Sequence, residues 1–116
     1  NSQISGKERR ARLIRGLEQM KDEPILLYLA GKLRLHRREN EKARNLLQQA
    51  AAFEQSPFIR AETLRTYGIS LVRTGRPSEA IEPFERAAGL IPAERKGLIQ
   101  GIEDWRNWAI RLTGKN

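Results

Sequence analysis

Apolar residues return along this chain every three or four positions, in six stretches separated by short polar turns. That period marks amphipathic helices, and runs of alternating β-branched residues, the sign of strands, are missing. Helices are predicted over residues 7–21, 24–37, 40–54, 57–73, 77–90 and 94–112. In the first stretch Leu13, Ile14, Leu17 and Met20 match Leu46, Leu47, Ala50 and Phe53 of the third at a constant offset of 33. Both of these stretches end in an acidic-polar turn and a proline, Pro24 and Pro57. The last stretch carries Leu98, Ile102, Trp105, Trp108, Ala109 and Leu112 at helical steps.

A longer period organises these helices. In a 34-residue unit beginning at Ala61, Leu64, Tyr67, Gly68 and Leu71 occupy positions 4, 7, 8 and 11. Ala80, Phe84, Ala87 and Pro92 occupy positions 20, 24, 27 and 32. Gly68, Ala80 and Ala87 are small enough to let two antiparallel helices approach, while Leu64, Leu71 and Phe84 fill the space between them. Gly75 supplies a left-handed turn at little steric cost, and Pro77 pre-sets the first position of the next helix. Pro92 stops the helix that ends near Leu90. Pro83, inside that helix, removes one backbone hydrogen bond and is expected to kink it mildly.

With those eight positions filled, the stretch resembles the tetratricopeptide repeat. An earlier unit starts at Pro24, with Leu27, Ala30, Gly31, Ala43, Leu47 and Ala50 in matching places; Arg34 departs from the apolar preference at position 11. Gly31 and Gly68 are 37 residues apart, three more than one period, so the helix from Asn40 is expected to run on to Phe53 or Glu54. The resemblance implies an all-α fold, a right-handed α-solenoid of antiparallel helix pairs with about six helices. Residues 7–21 form a half unit, 24–60 a lengthened unit, 61–94 a complete unit and 95–112 a capping helix that shields the last apolar face, leaving 113–116 as a tail. The length of 116 residues suits one domain.

Composition narrows the function. The chain has no cysteine, which excludes disulfides, thiolate metal sites and cysteine nucleophiles and leaves the compartment open between cytoplasm and periplasm. It begins at Asn1 without a methionine, as an excised piece of a longer protein would. The longest apolar run, Ile25 to Ala30, is far too short to span a bilayer. His36 is the one histidine, and Asp22-Glu23 and Glu103-Asp104 are adjacent pairs that diverge on a helix or lie in a turn. No metal-ligand spacing and no glycine-rich phosphate loop is present. The expectation is a non-catalytic protein with no metal and no cofactor.

Net charge is +8 and uneven: residues 1–60 hold 13 Lys/Arg against 7 Asp/Glu, and residues 61–116 hold 9 against 7. A basic front half suits an acidic protein segment, nucleic acid or anionic lipid, or is simply a solvated helix surface or a face covered by the rest of a parent chain.

In the tetratricopeptide family the first helices of successive units line a concave groove. Carried over, the resemblance implies a groove formed by Tyr28, Leu29, Lys32, Leu35 and His36, then Glu62, Arg65, Thr66, Ile69, Val72 and Arg73, then Lys96, Ile99, Gln100 and Glu103. Lys32, Arg65 and Arg73 would engage carboxylates, with Tyr28 and Ile69 as anchors. The family's carboxylate clamp, built from Lys and Asn, is rejected because Tyr28, Leu29, Lys32, Arg65, Thr66 and Ile69 include no asparagine. The stretch from Leu90 to Ile99 resembles the closing helix of tetratricopeptide regions in bacterial envelope proteins. A protein or peptide partner, acidic in part, is therefore expected, with self-association as a further possibility. Nucleic acid is disfavoured because Phe53, Tyr67, Phe84 and Trp105 read as core instead of exposed stacking platforms.

Overall fold

A computed structural model describes residues 5–19 and 23–114 of the chain. Its secondary structure, among the described residues, is six helices: α1 (Gly6–Glu18), α2 (Pro24–His36), α3 (Asn40–Ala51), α4 (Pro57–Arg73), α5 (Pro77–Leu90) and α6 (Lys96–Leu112). Met20 and Lys21, at the predicted end of the first helix, lie outside the described residues. None of the helices is long and apolar enough to cross a membrane.

Local chemistry sets the ends. The Ser5 hydroxyl accepts from the Glu8 amide at 3.1 Å and caps α1. Pro24, Pro57 and Pro77 open α2, α4 and α5, where a missing N–H costs nothing. Gly75, at φ +77°, closes α4, and the Arg76 amide then reaches back to the Leu71 carbonyl at 2.8 Å. The same closure ends α2, with Glu39 N–H bonded to the Arg34 carbonyl at 3.0 Å, but the left-handed residue there is Arg38, at φ 62°. A Cβ in that region costs roughly 1–2 kcal/mol. Arg38→Gly is therefore expected to stabilise the fold by about 1 kcal/mol, or about 4 °C in Tm, in a thermal melt. A lower Tm would mean that the Arg38 side chain holds the turn.

Each helix packs on the next in sequence, and α2 also meets α4, and α4 meets α6. The assembly measures 55 × 30 × 23 Å, elongated for its size. Two close approaches repeat along it. A Cβ on Gly31 would stand 2.6 Å from Leu47 of α3, and one on Gly68 would stand 2.6 Å from the Phe84 ring of α5. Both large partners are fully buried. Phe84 stacks in turn on Trp105 of α6, centroids 6.1 Å apart. Thr63, Thr66 and Ser70 are buried in α4 because each hydroxyl donates to a carbonyl three or four residues back. Helix α5 continues through the buried Pro83.

The extra residues between Gly31 and Gly68 do not lengthen α3, which stops at Ala51. They extend the start of α4, which begins eleven residues before Gly68 where α2 begins seven before Gly31. Ser56 precedes a proline and is held extended (ψ 150°), so the chain leaves the helical path before α4. Gln55 Nε2 donates to the Ala50 carbonyl (3.1 Å) and Arg60 Nη1 to the Phe53 carbonyl (3.0 Å), satisfying the frayed end of α3. Arg34, the departure from the apolar pattern, ties three elements together. Its guanidinium donates to Glu18 of α1 at 2.6 and 2.9 Å and to Glu39 before α3 at 2.8 Å.

Candidate functional site

Helices α2 and α4 are held side by side by one polar knot. The Tyr28 hydroxyl donates to Glu62 Oε2 at 2.9 Å, and Arg65 grips both Glu62 oxygens at 2.9 Å. Arg65 holds the Glu62 carboxyl below its ordinary range, while burial, and then Glu62, push the Tyr28 hydroxyl up to about 12. Tyr28 therefore stays neutral and donating across the physiological range. Lys32 Nζ lies 5.9 Å from the centre of the Tyr28 ring.

Above this knot is a cleft of about 140 Å³ lined by Lys32, Leu35 and His36 of α2 and by Arg65, Thr66, Ile69 and Arg73 of α4. Six of the nine expected groove residues meet there. Their roles divide by exposure. Thr66 and Ile69 are buried and form the floor, and Lys32, His36 and Arg73 are exposed at the rim. Tyr28, expected as an anchor for a partner, is only 8% exposed and is spent on the α2–α4 contact. Ile69, the other expected anchor, is equally covered. Gly68 faces the Phe84 ring of α5, and that rotation of α4 carries Ile69 inward.

Gln100 and Glu103 are not part of this cleft. Gln100 donates to Asp104 on its own helix at 2.9 Å. Glu103 lies in a crevice between α5 and α6 with Glu85, Ala88, Gly89, Ile99 and Arg106, where Arg106 pairs with Glu85 at 2.8 Å. Ile102 and Ala109 are the buried residues of α6, and seating them against the bundle turns Glu103 to the α5 flank.

A second, larger cleft of about 710 Å³ adjoins the first. It lies between α1 and α2 and is lined by Lys7, Arg10, Ile14, Leu33, His36, Arg37 and Glu39. His36 borders both clefts, so they form one basic face running from α1 across α2 to α4. Among the described residues its one lining carboxylate, Glu39, is already engaged by Arg34, which holds it below its usual range. The excess of cations in residues 1–60 was the signal for this face. The helical period could not say which of those cations converge. Among the described residues no three His, Cys, Asp or Glu side chains stand together as a metal site would require.

Comparisons of the chain with protein families, with curated proteins and with solved structures returned no match.

Proposed function

We propose that the chain is a non-catalytic scaffold of tetratricopeptide type, a right-handed solenoid whose basic face binds an acidic segment of another protein. The repeated glycine-to-large-residue approaches, Gly31 on Leu47 and Gly68 on Phe84, support the repeat reading, as does the contact of α2 with α4 and of α4 with α6. The observation that carries the functional reading is the convergence of Lys32, His36 and Arg73 on one cleft with, among the described residues, no competing carboxylate in its lining. Among the described residues Lys32 and Arg73 have no ion-pair partner, so they keep their attraction for an external anion, and Arg in particular engages a carboxylate in two-point contact. Leu35 and Ile69 in the same cleft, with Leu33 in its neighbour, favour a peptide with apolar residues between the acidic ones. Among the described residues lining it, the face exposes no aromatic ring for base stacking, which argues against single-stranded nucleic acid.

The experiment is fluorescence anisotropy with a labelled peptide of alternating glutamate and leucine. Lys32→Glu combined with Arg73→Glu should weaken binding at least about tenfold while the helical circular-dichroism spectrum is unchanged. Arg65 is left intact, because reversing it would break the knot with Glu62 and Tyr28 and disturb the fold. Equal affinity in the variant removes the cleft from the account. Tighter binding to single-stranded nucleic acid than to the peptide, with a steep salt dependence, would replace the protein partner.

A further inference from the structure

Helix α6 carries more apolar surface than the bundle covers. Ile102 and Ala109 are buried, and Trp105 is half-buried against the core and stacked on Phe84. Beside this arc, Leu98, Trp108 and Leu112 stand 48%, 47% and 47% exposed. Residues 98, 101, 105, 108 and 112 follow alternating steps of three and four, the spacing with which one helix seats against another over several turns. A monomer gains little from holding Leu98, Trp108 and Leu112 along an outer flank.

Glycine at position 101 adds to this. A Cβ on Gly101, as on Gly16, Gly89 and Gly97, would meet nothing within 4 Å. Gly101 forms part of an open groove of about 520 Å³ with Asp104, Trp105, Trp108 and Arg111. Arg111 lies 5.5 Å from the centre of the Trp108 ring, and Asp104 accepts from Gln100. Among the described residues neither Asp104 nor Arg111 has an ion-pair partner.

We infer that two copies of the chain associate through α6, antiparallel about a two-fold axis. In that register Trp105 meets Trp108 of the second copy, and the reverse contact repeats it. Leu112 of each copy fills the space left by Gly101 of the other. Asp104 then faces Arg111 across the seam twice, because the two-fold makes every contact occur in duplicate. The stripe is thus self-complementary in shape and in charge. The apolar cleft of about 330 Å³ beside Leu98, lined also by Pro57, Phe58, Leu90 and Pro92, continues the surface at one end. No residue of the basic clefts belongs to the stripe, so both binding faces stay open and the pair is bivalent.

The test is sedimentation velocity from about 1 to about 100 μM. The wild-type chain should sediment at twice its 13.3 kDa mass in the upper part of that range. Asp104→Arg and Arg111→Asp should each weaken dimerisation at least about tenfold, and the two together should restore it. Trp108→Glu should be monomeric with an unchanged helical spectrum, since Trp108 is exposed and lies outside the buried core. A wild-type monomer throughout, a dimer that persists in Trp108→Glu, or a charge swap that does not restore association would each overturn the inference.

Discussion

Phe84→Ala is expected to lower the unfolding free energy by about 3–5 kcal/mol, the largest effect of any single truncation here. The ring is fully buried and touches three helices. It belongs to α5, rests on Gly68 of α4 and stacks on Trp105 of α6. Cutting it back opens a void that the neighbours cannot fill, because the residue across from it is a glycine with no side chain to move in. Part of the loss falls on α6, which has few other buried residues. A domain of this size is stable by about 6–17 kcal/mol, so the variant should still fold but melt much earlier. Urea denaturation followed by circular dichroism measures it. A loss under about 1 kcal/mol would mean that α4 and α5 do not pair as described.

Gly68→Leu is the complementary test. Even a methyl group at position 68 would stand 2.6 Å from the buried Phe84 ring, so a leucine must push α4 and α5 apart. Overpacking of this kind costs about 3 kcal/mol, and the better helix propensity of leucine offsets less than 1 kcal/mol of it. Gly89→Ala is the control. Nothing lies within 4 Å of that position, so the same denaturation experiment should show a gain of up to about 1 kcal/mol. Combining Gly68→Leu with Phe84→Ala should cost less than the sum of the two, since one change makes room for the other. Additive losses would indicate that the two residues are not in contact.

These two residues also show what the sequence makes legible. A glycine and a phenylalanine sixteen positions apart, each at a helical step from other apolar residues, already imply a helix pair in close approach. The prolines at 24, 57 and 77 mark helix starts that the structure places at the same residues. What the pattern lacks is the share of each apolar face that a neighbour covers. Tyr28 and Ile69 sit at positions that read as groove-lining, yet the α2–α4 contact buries both. On α6 the reverse holds, and an apolar flank that reads as core stays open. Arg34 and Arg38 belong to a third kind. Each breaks a local rule, one placing a charge where an apolar residue is preferred and the other a Cβ in left-handed backbone. Only the positions of Glu18 and Glu39 explain Arg34. The length of α3 was missed for a local reason, since spacing between glycines cannot say on which side of a turn three added residues fall.

The basic face was legible as an excess of charge in the first 60 residues and not as a site. Lys7 and Arg10 are far in sequence from Arg73, and His36, which reads alone as a solvated helix end, joins their two clefts. The measurement that tests this face most directly is amide chemical-shift mapping of isotope-labelled protein titrated with the glutamate–leucine peptide at low salt. The account predicts the largest shifts at Lys32, His36 and Arg73, with Lys7, Arg10 and Arg37 following, and their loss as added salt screens the charges. Shifts concentrated on α3 and α5, or none at saturating peptide, would contradict it.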